Sequence, residues 1–191
     1  MITNETIMNA TLKMIAKNGI KGSTTRQLAE AAEINEATIF KKFKNKENLI
    51  HLTLEMQADM IKQEIEQFFN RPFCEVDYFL KQTYQFIASL YEKYRDFMMV
   101  SLKEVGSRDM AFIDPSVVEY LHDKVRKKVQ QLFGKEESSI SESISLVLNS
   151  VILFIMVEKV KADLYGRKSK IKANAEELTN VLKKLAITSQ L

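Results

Sequence analysis

Apolar residues recur along the chain at helical spacing, and only five glycines and two prolines interrupt them, so an all-α fold is expected. Ile7, Ala10, Met14 and Ile15 mark the buried stripe of a first helix, running from Thr3, a capping residue, to Asn18. Gly19 can close that helix in a left-handed conformation, with Ile20 folding back as the accompanying apolar contact. Thr24 and Gln27 match a capping box for a second helix over 25–32 that buries Leu28, Ala29 and Ala32. Glu33-Ile34-Asn35 reads as a turn, and Asn35 can cap a third helix over 36–43 that buries Ile39 and Phe43. Asn45 can cap a fourth, with Glu47 in its first turn, which stops at Phe69 before Pro72. Further helices are expected at 75–94, 96–105, 116–133, 139–165 and 174–187, and no alternating Val/Ile/Thr run suggests a strand. Asp114-Pro115 signals the start of the helix over 116–133. Ser139 with Glu142, and Asn174 with Glu177, resemble capping boxes. The expected organisation is an N-terminal three-helix helix-turn-helix domain, residues 1–46, joined by a continuous helix to a larger helical domain, residues 47–191.

Composition narrows the class. Of 191 residues, 46% are apolar and 28% charged, as in soluble globular proteins. Net charge is only +3, so any nucleic-acid signal must be local. Cys74 stands alone, which leaves no intrachain disulfide or cysteine metal cluster and fits a reducing cytoplasm. The N-terminus lacks the pattern of a secretory signal. ISLVLNSVILFIMV, residues 144–157, falls short of the roughly twenty apolar residues that cross a bilayer and contains Ser145, Asn149 and Ser150. A core helix is expected there, and no membrane partner.

The two short helices around the turn at 33–35 are too short to be stable alone. Together they read as a helix-turn-helix, with Ala29 and Ala32 small enough for close contact and a core of Ile15, Leu28, Ile34, Ile39, Phe43 and Leu49. The outward side of the third helix then carries Glu36, Ala37, Thr38, Lys41 and Lys42, with Lys44 and Lys46 just beyond. Lysines there can neutralise DNA phosphates. Ala37 and the Thr38 methyl can meet a thymine methyl, and Glu36 can accept from a cytosine amine. Asn35 can cap or contact DNA. The competing reading of the lysine run is an ordinary solvated face.

The combination of Gly19, Thr24-Thr25, Leu28-Ala29, Ala32, Ile34, Thr38-Ile39-Phe40, Phe43 and Lys46-Glu47-Asn48-Leu49 resembles the TetR family of transcriptional regulators. The resemblance covers about residues 7–49. It implies a homodimer with an N-terminal DNA-binding domain and a C-terminal domain that takes a small effector. It implies phosphate contacts from Thr25, Thr38, Phe40, Lys42 and Lys46, and base contacts from Asn35, Glu36, Ala37, Thr38 and Lys41. Two positions depart from the family pattern. Phe40 stands where tyrosine is usual and loses a phosphate hydrogen bond of about 0.5–1.5 kcal/mol. Glu33 stands where glycine is usual, and a left-handed conformation there strains the backbone by about 1–2 kcal/mol.

In the C-terminal part, Leu178, Val181, Leu182 and Leu185 form a single stripe, and the helix over 139–165 is apolar nearly all round. With Val147, Val151 and Phe154, these residues can build a four-helix interface between two copies. Residues 73–113 are rich in Phe, Tyr and Met, which pack as core or line a cavity for an apolar or aromatic ligand. Within the resemblance, a pocket is expected near Phe86, Tyr91 and Met98. His51 and His122 are far apart, Glu119-x-x-His122 has no second copy, and no phosphate loop or nucleophile elbow is present. Neither an enzyme, a cofactor nor a metal site is expected. The resulting expectation is a ligand-responsive regulator, a repressor that binds double-stranded DNA. The alternative is a helical small-molecule carrier without DNA binding.

Overall fold

A computed structural model describes residues 2–133 and 138–167, together with Glu177 and Asn180. Every described element is helical: α1 (Asn4–Asn18), α2 (Thr25–Ala31), α3 (Glu36–Phe43), α4 (Lys46–Phe69), α5 (Val76–Lys93), α6 (Arg95–Lys103), a 3-10 turn at Arg108–Met110, α7 (Val117–Phe133) and α8 (Ser138–Tyr165). The helix expected over 174–187, its Leu178, Val181, Leu182 and Leu185 stripe, and the side chains of Ser139 and Asn174 lie outside the described residues.

The chain divides into two compact units, Met1–Met60 with Tyr94–Asp114, and Ile61–Lys93 with Pro115–Leu191. α4 contributes to both. The first unit therefore includes α6 and the turn after it along with the helix-turn-helix. Compactness and the division at residue 46 are different partitions of the chain.

In the first unit, α1 buries Ile7, Thr11, Leu12, Ile15 and Ala16, whereas Ala10 and Met14 are only half-buried. The expected stripe is displaced because α1 packs on α2 and on α6 together, which widens its apolar side around Thr11 and Ala16. Gly19 closes α1 with a positive φ of 80° and donates its N–H to the Ile15 carbonyl at 2.8 Å. Its ψ of 163° is extended rather than left-handed helical. Lys103 on α6 adds a second cap, donating from Nζ to the Ala16 carbonyl at 2.6 Å. A cation at this end also favours the helix dipole.

In the second unit, α7 starts later than Asp114-Pro115 suggested. Ser116 N donates to Glu119 Oε2 at 2.8 Å and Glu119 N donates to Ser116 Oγ at 3.2 Å. This reciprocal capping satisfies two orphan donors, and Pro115 falls outside the helix. The apolar run at 144–157 is the middle of a 28-residue helix, which by length and composition alone is long enough to cross a membrane. One ridge of it, Ile144, Leu148, Ile152, Met156 and Val160, is buried at i+4 spacing in the packing with α7 and α5. Tyr91 on α5 reinforces this by donating from its hydroxyl to Asp163 at 2.6 Å.

Glu66 on α4 accepts from Tyr120 and pairs with Lys124, both on α7. The bond from Lys124, then that from Tyr120, holds the Glu66 carboxyl below its usual range. A lowered carboxylate adds stability above its unfolded pKa of about 4.3, and that stability is lost as pH falls through the folded value. Glu66→Gln is therefore expected to melt below the parent at neutral pH, with the gap closing in acid. A gap that is the same across pH in thermal melts contradicts this assignment. The effect is small because the Glu66 side chain is 38% exposed.

Candidate nucleic-acid interface

The sequence around α2 and α3 terminates each helix by local hydrogen bonding, which explains how two such short segments hold their shape. Thr24 and Gln27 form the expected capping box, with Gln27 N on Thr24 Oγ1 at 3.2 Å and Thr24 N on Gln27 Oε1 at 2.9 Å. The turn is closed by backbone bonds from Ala32 N to the Leu28 carbonyl at 3.1 Å and from Ile34 N to the Ala29 carbonyl at 3.0 Å. Leu28, Ala29, Ala32, Ile39, Phe43, Leu49 and Ile15 are buried as expected; Ile34 is half-buried.

Glu33 takes a φ of 55°, so the left-handed residue that the turn requires carries a side chain. Glu33→Gly removes strain of about 1–2 kcal/mol and returns part of it as unfolded-chain entropy of about 0.4–1 kcal/mol. The variant is expected to gain about 0.5–1 kcal/mol in denaturant unfolding, and a loss of stability would contradict the strain argument.

Asn35 acts as the cap of α3. Its Oδ1 accepts from Thr38 N and from the Thr38 hydroxyl, both at 2.8 Å. The amide acceptor is thereby committed, which leaves the Asn35 NH2 as the group that can reach outward. The Thr38 hydroxyl proton is directed at Asn35, so the Thr38 methyl is its free end. At the far end, Asn45 Oδ1 accepts from Asn48 N at 2.7 Å, and Asn48 Nδ2 donates to the Phe43 carbonyl at 2.9 Å. The start of α4 is thus fastened to the end of α3.

On this frame Asn35, Glu36, Ala37, Phe40, Lys41 and Lys42 are exposed, with Phe40 at 53%. Thr25, Thr38 and Lys46 are half-buried, and Lys46 lies 3.7 Å from Glu47. All nine expected DNA-contacting residues belong to the first unit. Two further residues, Arg26 and Asn4, escaped the sequence reading. Arg26 on α2 pairs with Glu30 at 2.9 Å, and its guanidinium is held above its ordinary pKa by the Glu30 hydrogen bond, then by the charges of Glu30 and Glu36. The i,i+4 spacing of Arg26 and Glu30 was available as a signal. Lys42 Nζ donates to Asn4 Oδ1 at 2.8 Å, across a sequence separation that no local pattern reveals.

Of the three expected pocket residues, Phe86 and Tyr91 fall in the second unit and Met98 in the first. Tyr91 and Met98 are buried. Phe86 lies face to face with Phe68, ring centroids 4.1 Å apart, in a cluster that also contains Phe69, Phe73 and Phe79. On α8, Val147 and Phe154 are exposed at 40% and 56%, and Val151 is half-buried. Beside them an open groove of about 200 Å³ runs between α7 and α8, lined by Val118, Leu121, His122, Leu146, Asn149 and Leu153 among others. Glu119 is engaged in its cap, and among the described residues no three His, Cys, Asp or Glu side chains come together as a metal site would require.

Residues 7–52 match the family model described as bacterial regulatory proteins, tetR family. An uncharacterized HTH-type transcriptional regulator of Bacillus subtilis, YvkB, is 37% identical over 65 residues, which are 34% of each chain. The chain therefore spans about a third of the length of the curated relative it matches. Solved structures share the fold. The regulator FadR of Bacillus subtilis, in complex with stearoyl-CoA, superposes with a TM-score of 0.65 at 17% identity, covering 96% of this chain and 97% of that one. The TetR-family regulator PfmR of Thermus thermophilus gives 0.56 at 17% identity, covering 95% and 97%.

Proposed function

We propose that this chain, whose N-terminal segment belongs to the tetR family of bacterial regulatory proteins, is a ligand-responsive transcriptional regulator. It acts in the cytoplasm as a homodimer, represses by binding a palindromic operator in double-stranded DNA, and is released by a small apolar or aromatic effector. Residues 1–46 read DNA, and residues 47–191 hold the effector and the dimer contact. The observation that carries this reading is α3 itself: Ile39 and Phe43 lock its inner side, and its outer side offers Glu36, Ala37, Lys41 and Lys42 to a groove.

Thr25, Thr38, Phe40, Lys42 and Lys46 meet phosphates, and Asn35, Glu36, Ala37, Thr38 and Lys41 face base edges. The hydrogen bonds of Asn35 and Thr38 refine these roles. Asn35 contributes its NH2, and Thr38 must turn its hydroxyl away from Asn35 to reach a phosphate or else present its methyl to thymine. Val147, Val151 and Phe154, with Leu178, Val181, Leu182 and Leu185, form the dimer contact. An effector near Phe86, Tyr91 and Met98 would be apolar, and the stearoyl-CoA bound by FadR offers a long acyl chain as the first class to try.

Selection of bound duplexes from a random DNA pool tests the reading. An inverted repeat with half-sites about one helical turn apart is expected. A pool with no enrichment, and retention indifferent to salt, would instead describe a small-molecule carrier.

A further inference from the structure

The N-terminus of α1 meets α3 through one side-chain bond, from Lys42 Nζ to Asn4 Oδ1 at 2.8 Å. Both residues are exposed, yet neither backbone is loose. Asn4 is the first residue of α1, behind the Thr3 cap, whose hydroxyl accepts from Thr6 N at 3.1 Å and whose carbonyl accepts from Ile7 N at 3.3 Å. Ile7, fully buried, anchors that first turn. Lys42 rides on α3, fixed by Ile39 and Phe43. Two rigid helices thus bring a neutral amide oxygen to the tip of a long, rotamer-rich cation.

An unheld lysine surrenders much of its side-chain freedom when it settles on a phosphate. A partner that holds the ammonium beforehand removes part of that loss. Asn suits the task because it occupies one of three ammonium donors and leaves the charge uncancelled. Resting on the DNA-binding reading above, we infer that Asn4 is a positioning residue: it holds Lys42 ready for the DNA backbone without neutralising it.

The test is binding of a mixed-sequence DNA duplex across a salt series, by the full chain and its variants. Asn4→Ala is expected to weaken binding about threefold when Lys42 is present, and to add nothing when Lys42→Ala is already in place. Asn4→Asp replaces the amide by a carboxylate that pairs with Lys42. It is expected to flatten the slope of log K against log salt by about 0.9 per subunit. Its melting temperature should hold or rise, because an acid in a first helical turn is favourable. A purely structural Asn4 would lower the melting temperature and leave the slope alone. Equal losses from Asn4→Ala in both backgrounds, or an unchanged slope for Asn4→Asp, overturn the proposal while the DNA reading stands. A wild-type chain whose binding ignores salt removes both together.

Discussion

Replacing Lys41, Lys42 and Lys46 together by alanine is expected to weaken DNA binding by a hundredfold or more and leave the fold in place. Each charged hydrogen bond to a phosphate contributes about 1.5–3 kcal/mol, so two such contacts already account for roughly a hundredfold. Each lysine that neutralises a phosphate also adds about 0.9 to the salt slope, so with Lys42 and Lys46 on phosphates the triple variant should bind with a slope shallower by about 1.8 per subunit. The loss should fall alike on all sequences for Lys42 and Lys46, whereas Lys41 should also relax the choice at a base position. Stability should change little, because Lys41 and Lys42 are exposed and the Lys46–Glu47 pair, at 3.7 Å with Glu47 73% exposed, is a weak one. Binding and melting measured on the same preparation decide the matter. A variant that melts normally and retains wild-type affinity would return the lysine run to an ordinary solvated face.

Gly22→Ala is expected to be the most damaging single change in the turn that delivers α2. A Cβ at residue 22 would overlap the backbone carbonyl oxygen of Asn18 and lie 3.3 Å from its carbon. The obstacle is backbone at the end of α1, so no side chain can rotate away. Next to it, Ser23 is fully buried and donates to the Gly19 carbonyl at 2.9 Å, which fixes the path of the chain on the other side. Overpacking against an immovable neighbour typically costs about 1–3 kcal/mol, and roughly 2–4 °C of melting temperature accompanies each kcal/mol at this chain length. A drop of about 5–10 °C is therefore anticipated in calorimetry. DNA binding should fall with it, since α2 can no longer dock at the same angle. An unchanged melting curve would mean that residues 19–23 adjust freely, contrary to the described geometry.

These expectations rest on parts of the molecule that differ in how far the sequence exposes them. The helix-turn-helix was legible almost residue by residue, because its limits are set by local chemistry: Thr24 with Gln27, and Asn35 with Thr38, satisfy backbone donors three residues away. Glu33 was readable through the family resemblance, as a turn residue occupying a glycine's place, and its φ of 55° meets the condition set for strain there. The buried side of α1 was less legible. Thr11 is fully buried only because α1 has two neighbours, which the spacing of Ile7 and Ile15 does not disclose. At α7, the reciprocal Ser116–Glu119 box just past Asp114-Pro115 marks the helix start, and Pro115 lies outside it. Aromatic spacing on α5 could not separate cavity from core, and Phe86 proves to be stacked on Phe68. The Asn4–Lys42 bond joins positions too distant for any periodicity to connect.

The uncovered side of α8 carries a further consequence. Leu146, Val147, Leu153 and Phe154 leave a band of oily surface on a chain otherwise rich in charge. If two copies meet there, the population of the competent form varies with protein abundance. The amount synthesised in a cell then becomes an input to the switch, alongside the effector. Scarcity would silence it, and greater abundance would restore the competent form without any change in the molecule.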